Sequence, residues 1–369
     1  MWLIRREGLE VLHAQNSYSA VGALLAGRLA GLKVFQTLRD TSTLCTGGQA
    51  CALPGEVVSS RCGLKSYPRC LTTLQQQISP GLQGWSRLKF FLGGIHRGLD
   101  LLLRRWCLRR MDNVIFVSEG LRRLYIERRF SDLSTRSAAV YNLPPPSEPR
   151  ALTPEDLRAS FGLPDGRPLV VYAGKLSLGK GIDILFEAIP RVVRQVPQAL
   201  FVLVGPSNPA VSFPGSLQEE LRPEGNLFHI PRLPHSKLLD LLSISDVVVS
   251  PSTWPEPLSR VLLEAMSLSK PVVGTRVGGT SETIEDEVTG FLVEREDPKA
   301  LGNRISDLLQ DPIRAAEMGR AGYTLLGERF SPERILPRLL SIYRGEIPQG
   351  GLWHPAPLTE GRSFSDLTD

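Results

Sequence analysis

Two glutamates eight positions apart, Glu256 and Glu264, mark the ends of a stretch that reads PSTWPEPLSRVLLEAM over residues 251–266. Carboxylates accept hydrogen bonds from the hydroxyls of sugars and ribose, so their surroundings decide whether they have work to do. Before them runs DVVVS, residues 246–250, a short β-branched segment typical of a strand buried on both faces. Pro251, Pro255 and Pro257 then forbid further pairing. Pro257 suits a first helical position, and Leu258, Val261, Leu262, Ala265 and Met266 follow at helical spacing, which predicts a helix from about Pro257 to Ser269. The unpaired amides of such a start, near Leu258 and Ser259, form an anion site. Eight residues of helical rise give roughly 12 Å between the carboxylates, the length of a sugar, a diphosphate and a ribose laid end to end. In that order Glu256 meets the sugar, the amides meet the diphosphate and Glu264 meets the ribose. An isolated E-x7-E pattern is more often a solvated surface; the strand, the prolines and the helix start give it chemical meaning here.

A second chemical stretch supplies cations. PLVVYA, residues 168–173, is a buried strand, and Gly174-Lys175-Leu176-Ser177-Leu178-Gly179-Lys180-Gly181 carries it into a helix from Ile182 to Val196. A strand, a glycine-rich turn and a helix start make a phosphate cradle, with Lys175 and Lys180 to neutralise charge. No Ser or Thr follows the lysine at Walker spacing, and alone the turn reads as an ordinary strand-to-helix connection. In a parallel sheet both stretches lie at the carboxyl ends of strands, where ligands bind, and the Gly278-Gly279 turn joins them.

At these residues the chain resembles a known family. WPEPLSRVLLEAMSLSKPVVGTRVGG, residues 254–279, is similar to the donor-binding signature of glycosyltransferase family 4, also called glycosyl transferases group 1. The resemblance implies the GT-B fold: two Rossmann-like, doubly wound α/β domains facing a cleft. It also implies transfer of a sugar from a nucleotide diphosphate sugar, with retention of anomeric configuration, to a glycan, lipid-linked or small-molecule acceptor. Glu256 is then the catalytic residue, and Gly174, Lys175, Lys180, Leu258, Ser259 and Glu264 hold the donor. Neither a cofactor nor a metal is implied, since the chain carries no Asp-x-Asp motif for a divalent ion and the lysines supply positive charge. Two departures stand out. The family's opening strand and glycine-rich turn have no counterpart before LEVLHA, so the first domain is expected to lack its opening strand. Thr37-Leu38-Arg39-Asp40 carries arginine where the family commonly has a histidine, and arginine does not exchange protons near neutral pH. A catalytically impaired nucleotide-sugar-binding protein or assembly partner therefore remains an alternative, as does an epimerase or phosphorylase on the same fold.

The rest of the chain must position these stretches. Its 369 residues, 42% hydrophobic and 22% charged, suit two globular domains. We expect an acceptor-side domain over 1–146, a donor domain over 147–330, a crossover helix over 331–346 and a disordered tail over 347–369. Pro144-Pro145-Pro146-Ser147-Glu148-Pro149 is the expected hinge. Strands are expected at Leu9 to Ala14, Lys33 to Leu38, Asp112 to Val117, Ala138 to Asn142, Ala199 to Gly205, Leu227 to Ile230, Pro271 to Thr275 and Gly290 to Val293; an amphipathic region runs from Trp85 to Met111.

Net charge is +5, yet residues 1–146 hold 20 Lys and Arg against 9 Asp and Glu, a balance of +11. Arg104, Arg105, Arg109, Arg110, Arg122, Arg123, Arg128 and Arg129 concentrate it, either as a solvated face or as a peripheral contact with anionic membrane. Aromatic residues do not alternate with these arginines, which argues against nucleic acid. No apolar run is long enough to span a bilayer, and the start lacks the order of a secretory signal, so the expected location is cytoplasmic or peripheral at the inner membrane face. Cys45, Cys51, Cys62 and Cys70, with Cys107, are expected to be reduced thiols; their spacing lacks the tight pair of a zinc site. His13 ends a strand and reads as structural more readily than catalytic.

Overall fold

The computed structural model describes residues 2–45, 67–68, 70–72, 83–145, 152–207 and 225–346. The hinge residues 146–149, the tail 347–369, Cys51 and Cys62 lie outside the described residues.

The alternation expected from the sequence is present as two parallel sheets. In the first half, helix α1 (Trp2–Glu7), β1 (Val11–Ala14), α2 (Ala20–Ala30), β2 (Lys33–Leu38), α3 (Gly84–Leu108), β3 (Asn113–Phe116), α4 (Glu119–Arg128) and β4 (Ser137–Ala139) follow one another. The four strands pair in the order β1-β2-β3-β4. β1 is an edge, half-buried along most of its length, whereas β3 is buried at every position. The last strand ends at Ala139 and not at Asn142; the Val140 amide beyond it donates to the Phe116 carbonyl at 2.8 Å.

The second half runs α5 (Pro154–Ser160), β5 (Leu169–Ala173), α6 (Ile182–Gln195), β6 (Leu200–Val204), β7 (Leu227–Ile230), α7 (His235–Ser243), β8 (Val247–Ser250), α8 (Arg260–Ser267), β9 (Val272–Thr275), α9 (Thr280–Thr283), β10 (Gly290–Val293), α10 (Pro298–Gln310), α11 (Pro312–Arg329) and α12 (Pro332–Arg344). Its six strands pair in the order β10-β9-β8-β5-β6-β7. The chain adds β6 and β7 on one side of β5, then crosses to place β8 on the other. That reversal lies between β5 and β8, where a doubly wound sheet opens a crevice at its carboxyl edge.

Alternation along each strand divides the core. Val170, Tyr172, Phe201, Leu203, Val247 and Val249 face α6 and α10, while Leu169, Val171, Leu200, Val202 and Val248 face the opposite layer, continuous with the first domain's core. Both sheets use one device to set register. Asp112, just before β3, accepts the Val34 amide at 2.7 Å, and Asp246, just before β8, accepts the Leu169 amide at 2.7 Å.

Helix α12 packs against strands of the first sheet. Its Tyr343 hydroxyl lies 2.6 Å from His13 Nδ1, its ring meets Phe35 edge-on, and Arg338 donates to the Ala139 carbonyl at 2.8 Å. Of the arginines expected on one basic face, Arg104 and Arg105 are buried. Arg104 pairs with Asp100, and Arg105 donates to the Thr43 and Leu44 carbonyls. Arg122 is likewise consumed by Glu119, Ser134 and Ser137. These guanidiniums brace the domain, because a buried charge persists only where partners replace its hydration. Cys45, Cys70 and Cys107 are buried.

Candidate donor-binding site

Three connections meet at the carboxyl edge of β5, β8 and β9. After β8 the prolines end pairing, and residues 251–259 fold as a loop. After β5, the turn at residues 178–181 docks on that loop: the Thr253 and Trp254 amides both donate to the Gly179 carbonyl at 3.2 Å, and Thr253 Oγ1 donates to the Leu178 carbonyl at 3.0 Å. Gly181, at φ +66, lies so close that a Cβ there would sit 1.7 Å from the Pro251 carbonyl oxygen. After β9, the Gly279 amide donates to the Glu256 carbonyl at 2.8 Å, and a Cβ on Gly278, at φ +49, would fall 2.2 Å from the same oxygen. The sequence predicts this convergence, and the reason for the glycines is close backbone approach.

Glu256 is only 5% exposed. Its Oε2 accepts from Lys180 Nζ at 2.5 Å, Trp254 Nε1 at 2.9 Å and Ser252 Oγ at 3.1 Å, and the Lys180 ammonium sits 5.0 Å from the centre of the Trp254 ring. No donor from the described residues reaches Oε1. The predicted sugar-binding carboxylate and one predicted phosphate-binding lysine are thus a single ion pair. Its field reaches β5, where burial first, then Glu256 and Asp183, push the Tyr172 phenol up. Lys175 is exposed, and Gly174 bonds through its amide to the Val204 carbonyl at 2.9 Å.

The helix after the loop differs from the sequence expectation. Residues 257–259 are not helical; Ser259 is the N-cap and α8 begins at Arg260. Pro257 supplies no helix start because its carbonyl and that of Glu256 face the Gly278-Gly279 turn. Leu258 and Ser259 are buried, and the Ser259 hydroxyl lies 3.3 Å from that of Ser250. The amides of the first helical turn therefore belong to Arg260 and its successors. The 12 Å estimate fails with this, since only part of the segment between the glutamates rises as a helix.

Glu264, 3% exposed, holds its Oε1 2.9 Å from His235 Nε2 and 3.4 Å from an Arg260 guanidinium nitrogen. His235 does not follow from the sequence: it opens α7, and its approach depends on how α7 and α8 pack. Arg260, four residues before Glu264, is the helical neighbour that spacing alone offers.

The first domain closes on the same corner. Ser118 caps α4, and the next two amides, of Glu119 and Gly120, donate to the Glu282 carboxylate of α9 at 2.9 and 2.6 Å. Tyr141 adds its hydroxyl at 2.9 Å. Arg39 donates to Asn142 Oδ1 at 2.8 Å and Gln15 Oε1 at 2.9 Å; burial and then the Arg260 charge lower its pKa. His13 bonds Tyr343 and Thr37 through its two ring nitrogens, and burial with the Arg39 charge lowers its pKa to about 4. It is a structural neutral imidazole. Among the described residues no group of three or more His, Cys, Asp or Glu could hold a metal ion.

Comparison with known proteins places this geometry. Residues 154–325 match the model of the family "Glycosyl transferases group 1". The chain is 33% identical over 237 residues to the GDP-mannose-dependent alpha-(1-6)-phosphatidylinositol monomannoside mannosyltransferase of Mycolicibacterium smegmatis, covering 60% of each chain. It is 31% identical over 195 residues to spore coat protein SA of Bacillus subtilis, covering 51% of this chain and 52% of that protein. The chain thus spans about half to three-fifths of the length of these relatives. Among solved structures, Anabaena HepE in complex with UDP superposes with a TM-score of 0.63 at 19% identity, over 93% of this chain and 81% of that one, which shows a shared fold. The two parallel sheets have the fold of GT-B glycosyltransferases, and residues 154–325 are similar to the glycosyl transferases group 1 family.

Proposed function

We propose that the protein transfers a sugar from a nucleotide diphosphate sugar to a hydroxyl of a glycan, lipid-linked or small-molecule acceptor, with retention at the anomeric carbon and without a divalent metal. The observation that carries this reading is the meeting of Glu256, Lys180 and the start of α8 at the β5/β8 reversal, beside Glu264. In the reaction the bond from the anomeric carbon to the diphosphate oxygen breaks, and its electron pair stays on the phosphate. The acceptor oxygen bonds to that carbon, and its proton passes to the departing phosphate. Lys175, Arg260 and the first amides of α8 stabilise the charge that develops there. Lys180 fixes the Glu256 carboxylate, whose Oε1 accepts from a sugar hydroxyl and faces the positive charge of the sugar ring. Glu264, oriented by His235 and Arg260, accepts from the ribose hydroxyls.

This reading is tested with a panel of nucleotide sugars and acceptors, following nucleotide diphosphate release and the anomeric configuration of the product by NMR. Release that depends on acceptor, unaffected by chelator and giving a retained anomer, supports it. An inverted product or a strict requirement for a divalent ion overturns the corresponding part. Arg39 favours a second reading, a protein that binds the nucleotide sugar without transferring it; donor binding with no product from any acceptor would select it.

A further inference from the structure

The long helix α3 carries an apolar stripe on the side away from its own core. Trp85, Leu88, Leu92, Ile95, Leu99 and Leu102 are all exposed, Trp85 at 67% and Leu99 at 61%, and Trp106 ends the row. The steps alternate three and four residues throughout. At about 100° per residue they fall within an arc of about 100°, and the buried Gly94, Leu101 and Leu108 lie roughly opposite. Among the described residues, packing within the fold does not account for a stripe of this size.

Its flanks are cationic. Arg87 and Lys89 are exposed on the same helix, the exposed Arg109 and Arg110 follow its last residue, and the acid Asp100 is already paired with Arg104. The cations sit with the aromatic residues at the ends of the stripe: Arg110 lies 4.1 Å from the centre of the Trp106 ring and Lys89 5.9 Å from that of Trp85. We propose that α3 is a docking surface for an anionic lipid bilayer, lying in the plane of the interface with its leucines among the acyl chains and its cations at the headgroups. Tryptophans at both ends and basic flanks are the arrangement an interfacial helix requires. A second copy of the chain fits less well, because pairing along this stripe would set Arg87, Lys89 and Arg110 against like charges. No described helix is long and apolar enough to cross a membrane, so the contact is with one face of the bilayer. The inference stands independently of sugar transfer.

The test is co-sedimentation of the full chain with vesicles of equal phosphatidylglycerol and phosphatidylcholine, and with phosphatidylcholine alone. The expected result is binding to the anionic vesicles at least tenfold tighter than to the neutral ones, weakening as salt is raised. L92S/L99S, at exposed positions, should reduce it at least tenfold with unchanged circular dichroism. R87E/K89E touches no buried side chain and should do the same, so the outcome does not hang on one variant. Absence of wild-type binding, or equal binding by both variants, overturns the proposal. So does a wild-type dimer that ignores vesicles and that L92S/L99S converts to monomer.

Discussion

Replacing Lys180 by methionine removes the ammonium 2.5 Å from Glu256 Oε2 while keeping most of the side-chain volume. The carboxylate, 7% exposed at its side chain against 24% for the lysine, is left with the Trp254 indole and the Ser252 hydroxyl. Breaking a buried ion pair by removing one partner costs about 3–5 kcal/mol. Here two neutral donors remain and the lysine is part-solvated, so a loss of about 2–3 kcal/mol is expected. For a domain of this size that lowers Tm by very roughly 4–12 °C. The decisive assay is a double-mutant cycle with Glu256→Gln, read by thermal and urea unfolding of K180M, E256Q and the double variant. Coupling of about 1.5 kcal/mol or more is expected, with the double variant more stable than the two single losses added together. A coupling below about 0.5 kcal/mol would refute the reasoning, since it would mean that Lys180 and Glu256 act independently and the pair does not organise the site.

Glu282→Ala should loosen the two domains and cost about 1–3 kcal/mol, because it strips the carboxylate from two α4 amides and the Tyr141 hydroxyl; a scattering profile and Tm identical to the wild type would contradict this. Gly278→Ala should abolish donor binding or impair folding, since its Cβ would meet the Glu256 carbonyl at 2.2 Å and φ is +49; a fully active, equally stable variant would show that the turn can move aside. His13 has a folded pKa of about 4 against 6.5, so between those values the unfolded chain binds the extra proton. Stability from this group is complete above pH 6.5 and is lost as pH falls towards 4, by an amount on the order of 2–3 kcal/mol. His13→Asn should flatten that part of the Tm profile, and parallel profiles would exclude His13 as the cause.

Much of this was legible in the sequence because strands buried on both faces leave continuous apolar runs, as in LVVYA, LFVLV and VVVS. The glycines of residues 174–181 and 278–279 marked the close approaches for the same local reason. What escaped were contacts between elements distant in sequence. His235 reaches Glu264 across 29 positions, Glu282 reaches Gly120 across 162, and the Lys180–Glu256 pair spans 76. No periodicity encodes such meetings. α8 starts later than Pro257 predicts: proline suits a first helical turn, but the Gly278-Gly279 turn holds the Glu256 and Pro257 carbonyls outside the helix. The basic face was overdrawn because composition counts charges without showing that Arg104 and Arg105 are enclosed. The apolar stripe of α3 merged with its core face into one amphipathic region, and only the packed structure separates them.

The central claim is that the reversal between β5 and β8 binds the diphosphate and ribose of a nucleotide sugar. Isothermal titration of the full chain with uridine, guanosine, adenosine and thymidine diphosphates, repeated on Glu264→Ala, tests it most directly. At least one diphosphate should bind the wild type. Loss of charged hydrogen bonds to the ribose should weaken that ligand by roughly 1–3 kcal/mol in the variant, about five- to 150-fold. Failure of all four to bind the wild type, or equal affinity in the two proteins, would contradict it.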